Sequence, residues 1–263
     1  MSHSIVPLGA VCGFGGARLE DPFQAFYSAG AFLPAHEKGS VSTMSNTSNK
    51  THQIAITGML CAVSFIAVLL SRVIPDVEGF LSYDPKDAII VIAGFIYGPI
   101  TSIVISLIVS FIEMITISGT GIYGFLMNVV STCAFACPAA LIYHRARRMR
   151  WAIVGLGVGM VSMTAVMLLW NYIITPLYMG VDRAVVVAML PTVFLPFNLI
   201  KSGINAGLTM VLYKPIVGTL RRAKLLPEAD AEHKGHFNLG FTLFSLAVLA
   251  TFILLFLSFT GVI

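Results

Sequence analysis

The sequence has 263 residues, of which 57% are hydrophobic and only 11% are charged, and its mean hydropathy is +0.89. This balance excludes an ordinary soluble protein and predicts an all-α, polytopic membrane protein, because several apolar runs approach the roughly 20 residues that a helix needs to cross a bilayer. The net charge of +4 does not indicate nucleic-acid binding, since the cations stand beside apolar runs, where they orient a chain in the membrane.

The first 50 residues are rich in Gly, Ser and Pro and show little periodicity, so we expect a disordered N-terminal tail over 1–50. No basic start precedes its weakly apolar opening, and a signal peptide is therefore not indicated. Because Met44 stands just ahead of the first apolar run, we hypothesise that translation begins there. An intact mass that includes residues 1–43 would exclude this start.

Six apolar segments after the tail predict a six-helix membrane domain over residues 51–220. The second segment is short for a membrane span. A linker at 221–236 leads to a seventh apolar segment, 237–263, which we interpret as an additional transmembrane helix. The six segments are 54–74, 88–97, 100–117, 122–143, 151–178 and 189–213.

The boundaries of the second helix carry recognisable signals. Asp84 is expected to cap its N-terminus, with Pro85 at the first helical position and Asp87 in the first turn, where a carboxylate favours the positive end of the helix dipole. Gly98 and Pro99 separate the second helix from the third.

Lys and Arg residues in the short loops predict the orientation of the chain. Two basic loops lie on one side if the helices alternate, whereas the loops at 75–87 and 179–188 hold few cations. We therefore expect the N-terminus and the basic loops in the cytoplasm of a bacterial cell, with the other two loops outside. The basic residues are Arg145, Arg147, Arg148 and Arg150 in one loop and Lys214, Arg221, Arg222, Lys224 and Lys234 in the other.

Polar side chains recur at helical spacing within two of the most apolar segments. A charge at the centre of a membrane helix costs about 2.5–3.5 kcal/mol on insertion scales, so these residues should face a cavity or each other. Hydrogen bonding between helices, with a lysine that reaches toward the interface, is the alternative to a ligand site. The two stripes are Asn171, Thr175 and Tyr178, and Asn198, Lys201, Ser202 and Asn205.

The chemistry of these stripes favours a planar heterocycle that is neutral or weakly anionic. Each asparagine amide carries a donor and an acceptor and can match a ring edge that alternates C=O and N–H, while Lys201 can only donate. The neighbouring aromatic residues could contact a flat ring or form an ordinary interfacial belt: Trp170, Tyr172, Tyr178, Phe194 and Phe197.

Several stretches resemble the riboflavin-specific substrate-binding subunit (S component) of energy-coupling factor (ECF) transporters. They are "WNYIITPLY", "PFNLIKSGINAGLTMVLYKP", "DPKDAIIVIAGFIYGPITSIVISLIVSFIE" and "GTGIYGFLMNVVST", and the likeness runs from Thr51 to about Pro215. It implies six helices that bind the vitamin from outside and a first loop that closes over it. The candidate binding residues are Asn171, Asn198, Lys201, Thr175, Tyr178, Asn128, and Leu81 and Tyr83 of the first loop.

The same resemblance implies that riboflavin is a transported ligand and that the chain is neither an enzyme nor dependent on a cofactor. The sequence holds no GxxxxGK[ST] phosphate loop, so ATP hydrolysis would come from two ATPase subunits through a membrane coupling subunit (T component). Gly58 and Ala62 are the expected docking face on the first helix, because small residues four apart permit close helix approach. We expect "GLGVG" and "GINAG", which have the same spacing, to pack internally.

Other functions remain open at this point. Glu113 could serve as the proton relay of a secondary transporter, or could be a structural partner of Lys201 or a residue near the outer end of the third helix. Asn128 could touch the ligand or bridge helices. An S component for another vitamin or flavin, such as thiamin or FMN, is a further alternative, whereas no HExxH, GxSxG or grouped carboxylate motif indicates a membrane enzyme. Since six-helix members lack the seventh segment, we expect riboflavin binding to survive deletion of 234–263.

Overall fold

The structure, a computed structural model, describes residues 42–73, 81–223 and 239–261, with side chains from residue 51 onward. The chain divides into two units, Met1–Ser45 and Asn46–Ile263, and the membrane-spanning segments lie in the second. Most of the expected tail and residues 224–236 of the expected linker fall outside the described residues. The first helix begins at Ser42, inside the range expected for the tail, and includes Met44.

The described part of the chain is built of helices. A π-helical turn, Leu190–Phe194, joins α6 directly to α7. The helices are α1 (Ser42–Ser71), α2 (Lys86–Tyr97), α3 (Pro99–Thr116), α4 (Gly121–Ala146), α5 (Met149–Met179), α6 (Arg183–Met189), α7 (Leu195–Arg222) and α8 (Leu239–Phe259).

Six segments of the described chain are long and apolar enough to cross a membrane, which confirms the predicted polytopic all-α fold. They are α1 from Thr51 onward, α3, α4, α5, the continuous α6–α7 segment of 40 residues, and α8. The second helix, α2, has 12 residues and does not reach the length of a span, as expected. The predicted seventh helix, α8, packs more loosely than the others, since Ser245 is its one fully buried residue.

The short helix α2 forms the centre of the bundle. Every residue from Lys86 to Phe95 is buried, and α3, α4 and α7 pack around it. A helix that is covered on all sides needs no polar face, which explains the unbroken apolar sequence "AIIVIAGFI". The chain then turns sharply at Gly98, whose φ of 101° is open to glycine and strained for other residues, and Pro99 starts α3.

Glycines allow α5 to pack against α4 at backbone distance. A Cβ placed on Gly155 would lie 2.8 Å from the Ala139 carbonyl oxygen, and one on Gly159 would lie 2.5 Å from the Phe135 carbonyl oxygen. The middle glycine of "GLGVG", Gly157, faces open space instead. The outer two glycines of this motif therefore pack internally, as predicted.

The contrast within "GLGVG" gives a stability prediction. Gly159→Leu should lower the free energy of unfolding of the purified protein by about 1–3 kcal/mol or more. The added side chain would meet the α4 backbone, which cannot shift without disturbing the packing of that helix. Gly157→Leu makes the same chemical change in open space and serves as the control. Thermal unfolding in detergent should separate the two variants, and equal melting temperatures would contradict this packing.

Candidate ligand-binding site

Three adjoining cavities lie where α4, α5 and α7 meet the segment Leu81, Ser82, Tyr83 and Asp84, which we call the wall segment. The largest has a volume of about 220 Å³, and Met127 lines all three. The largest cavity is lined by Arg72, Ser82, Asp84, Glu113, Ser118, Gly119, Thr120, Gly124, Met127, Asn128 and Tyr178. Because the cavities share walls, we treat them as one site.

The site collects most of the residues that the two polar stripes predicted. Asn171, Thr175 and Tyr178 line the second cavity. The third cavity is lined by Leu81, Ser82, Met127, Asn128, Ser131, Met167, Phe197, Asn198 and Lys201. Ser202 lies elsewhere, since its hydroxyl donates to the Asn198 carbonyl oxygen at 2.7 Å within α7.

Tyr83 differs from the other candidates. It lines none of the three cavities, and its hydroxyl donates to the Asn205 Oδ1 atom at 3.1 Å. Its ring faces Phe256 of α8, with 6.3 Å between the ring centroids. Tyr83 is therefore turned away from the site while its neighbours Ser82 and Asp84 line it.

Both predicted asparagines are held by their own helices. The Asn171 Nδ2 atom donates to the Met167 carbonyl oxygen at 2.7 Å, and its Oδ1 atom accepts from Thr175 at 2.8 Å. The Asn198 Nδ2 atom donates to the Phe194 carbonyl oxygen at 2.8 Å. These bonds fix the side-chain rotamers and leave each amide a second N–H and acceptor capacity for a ligand.

Lys201 is buried and already engaged. Its Nζ atom donates to the Asp84 Oδ2 atom at 2.6 Å and to the Ser82 carbonyl oxygen at 3.3 Å. Burial alone would raise the pKa of the Asp84 carboxyl, but the neighbouring Lys201 and Lys86 ammonium groups outweigh burial and lower it. The expected N-cap role of Asp84 is wrong, because Pro85 occupies that position and no side chain caps α2. The carboxylate ties the wall segment to α7 instead.

This pair belongs to a cluster of six charged residues. Lys86 contacts Asp84 at 3.5 Å and Glu113 at 2.9 Å, and Glu113 also pairs with Arg72 at 2.9 Å. Glu113 is therefore not paired with Lys201, whereas it does lie near the C-terminal end of α3, the other expected position. With Asp87, the cluster holds three cations and three carboxylates: Arg72, Lys86, Lys201, Asp84, Asp87 and Glu113.

Sequence reasoning did not predict Arg72 or Ser131, which line the cavities, or Lys86, which pairs with two lining carboxylates. The carboxylates on both sides of Lys86 in the sequence were a signal for ion pairing. Ser131 gave no signal at all. Its hydroxyl is buried, lines the third cavity and has no hydrogen-bond partner among the described residues, so it can bind a polar group of a ligand.

Gly58 and Ala62, the expected docking residues, line none of the three cavities. Both are exposed on α1, and nothing lies within 4 Å of a Cβ placed on Gly58. This surface of α1 is open to another helix.

The buried charges give a second stability prediction. Glu113→Gln keeps the size of the side chain but leaves Lys86 with one fewer charged partner, and we expect a loss of about 3–5 kcal/mol in the free energy of unfolding. Asp182→Asn removes a carboxylate from the start of α6 and provides the control. Thermal or denaturant unfolding in detergent measures both, and a Glu113→Gln variant as stable as the parent would contradict the buried pairing.

Comparison with known protein families gives a match over most of the bundle. Residues 52–213 match the family model described as ECF transporter, substrate-specific component. The match ends within α7 and does not include α8.

Curated relatives and a solved structure point the same way. The chain is 26% identical to "Riboflavin transporter FmnP" of Bacillus subtilis over 200 residues, which are 72% of this chain and all of that protein. It is also 26% identical to "Riboflavin transporter RibU" of Staphylococcus aureus over 170 residues, 62% of this chain and 89% of that one. A solved S component of a bacterial ECF transporter superposes with a TM-score of 0.56 at 26% identity, and the match covers 66% of this chain and 99% of the other.

Proposed function

Because the chain belongs to the family of ECF transporter substrate-specific components, we propose that it binds riboflavin from outside the cell and delivers it inward as the specificity subunit of an ATP-driven transporter. The observation that carries the proposal is the convergence of Asn171, Asn198 and Lys201 on one set of adjoining cavities. The two curated relatives are named riboflavin transporters, which supports the choice of vitamin.

The polar groups of the site match the edge of a flavin ring. The pyrimidine part of the ring alternates carbonyl and N–H groups, and the amides of Asn171 and Asn198 retain one donor and one acceptor each. Lys201 has a third N–H beyond its bonds to Asp84 and Ser82. Trp170 and Met127 supply apolar surface beside Asn171 for the flat part of the ligand.

The charge balance of the cluster favours a neutral ligand. Each of its three cations is already paired with a carboxylate, Arg72 and Lys86 with Glu113 and Lys201 with Asp84, so a phosphate would have to compete with these carboxylates. This argument favours riboflavin over FMN. It also counts against proton coupling, because Glu113 is held by both Lys86 and Arg72.

The direction in which α4 runs through the membrane supports entry of the ligand from outside. Asn128, near the start of the helix, lines the site, while the basic loop that begins at Arg145 lies at the opposite end. By the positive-inside rule the basic end is cytoplasmic, and the cavities open toward the exterior of the bacterial plasma membrane. The N-terminus is then cytoplasmic, and transport requires the T component and two ATPase subunits.

Flavin binding tests the ligand directly. Purified protein supplied with riboflavin should show flavin absorbance bands, and Lys201→Ala should weaken binding by about 10- to 150-fold because a charge-assisted hydrogen bond is lost. Asn198→Ala and Asn171→Ala should act in the same direction. Lys214→Ala removes the same charge at the other end of α7, outside the site, and should bind like the parent.

Titrations of flavin fluorescence measure the affinities for riboflavin and FMN, and the affinity for thiamin is measured by its competition with bound riboflavin. Wild-type affinity for riboflavin in Lys201→Ala would exclude the proposed role of the lysine. Tighter binding of FMN or thiamin would replace riboflavin with that ligand.

Docking of the coupling subunit gives a separate prediction. Gly58→Leu should leave equilibrium riboflavin binding unchanged and abolish uptake in cells that carry the partner subunits, because it places bulk on the open face of α1 beside Ala62. Gly157→Leu makes the same change at an open position of α5 and should retain uptake. If Gly58→Leu lost binding, or if it transported normally, the assignment of this face to docking would be wrong.

A further inference from the structure

The C-terminal helix α8 lies outside the region matched by the family, yet it packs directly on a site helix. Gly203 and Gly207 of α7 face it, and a Cβ on Gly203 would collide with the ring of Phe252. A Cβ on Gly207 would lie 3.0 Å from the Leu249 Cα atom. The motif "GINAG" therefore packs internally, as predicted, and its partner is α8.

The last turns of α8 reach the wall segment. Phe256 faces the Tyr83 ring, and Phe256 and Phe259 pack against an apolar cluster that contains Leu81 of the wall segment. Tyr83 is fixed further by its hydrogen bond to Asn205 of α7. The buried members of the cluster are Leu81, Val186, Phe194 and Phe197.

The wall segment is thus held from two sides. On the inner side, Asp84 and the Ser82 carbonyl oxygen are bound by Lys201, which is also the lysine proposed to contact the ligand. On the other side, the Tyr83 ring faces Phe256 of α8, and Phe256 packs against the apolar cluster that contains Leu81. When a ligand competes for Lys201, the inner attachment weakens and the other one remains.

We propose that α8 is a brace for the wall segment, with Phe256 as a positioning residue that slows ligand release. The proposal rests on the proposed function for its ligand but not for its contacts. It adds a role in ligand release to the expectation that riboflavin binding survives deletion of 234–263. Most of α8 is exposed, with Ser245 as its one buried residue among those described, so weakening a contact near its end leaves the core of the bundle intact.

The experiment compares three full-length variants. Phe256→Ala removes the ring that faces Tyr83, Phe256→Tyr retains it, and Leu255→Ala truncates the preceding, 48% exposed residue. The rate of riboflavin release, followed by the recovery of flavin fluorescence, should rise about 5- to 20-fold in Phe256→Ala only. A merely structural loss would lower the melting temperature without this selective change in release.

A second readout needs no flavin. Each variant also carries Ser82→Cys, and modification of Cys at that position by a soluble thiol reagent should be faster with Phe256→Ala than with Leu255→Ala or Phe256→Tyr. Proteins without Ser82→Cys report the background of the native cysteines. Equal modification rates in all three variants would overturn the brace. A selective rate increase in protein that binds no riboflavin would support the brace and reject the proposed ligand.

Discussion

The ion pair between Lys201 and Asp84 is the interaction on which the arrangement of the site depends. The two residues come from distant parts of the sequence, and their atoms meet at 2.6 Å inside the bundle, where both side chains are buried. Removing Asp84 would leave the buried Lys201 ammonium without its carboxylate, which makes this side of the pairing hard to replace. The pair therefore fixes the wall segment against α7, and Lys86 and Glu113 extend the same constraint to α2 and α3.

This constraint has a consequence for recognition. A ligand that takes a hydrogen bond from Lys201 weakens the bond to Asp84, but Asp84 keeps Lys86 at 3.5 Å as a second cation. The carboxylate is thus not left unpaired when the ligand binds. A neutral ligand can bind here without displacing a carboxylate from its cation, whereas an anionic ligand would compete with Asp84 and Glu113 for the same cations. Lys201 can therefore bind Asp84 in the empty site and donate to the ligand in the occupied site.

The sequence predicted the helices and the polar stripes because both follow from local patterns. Long apolar runs define membrane helices, and the spacing of Asn171 and Thr175, or of Asn198 and Lys201, places these residues on one helix face. Which groups pair across the bundle does not follow from such patterns. "DPKD" looks like an ordinary helix start, yet Asp84 binds Lys201, 117 residues away in the chain. The partners of Glu113 and the direction of Tyr83 were beyond prediction for the same reason, since they depend on packing between distant helices.

The small-residue motifs show the same limit and suggest how it can be overcome. "GLGVG" and "GINAG" share the spacing of Gly58 and Ala62, so sequence alone could assign any of the three to internal packing or to a partner. The structure fills the faces of the first two with α4 and α8, respectively. Gly58 meets nothing within 4 Å in the described chain. Small residues on an open helix face gain no internal packing, and this contrast supports our proposal that α1 is the surface on which a coupling subunit docks.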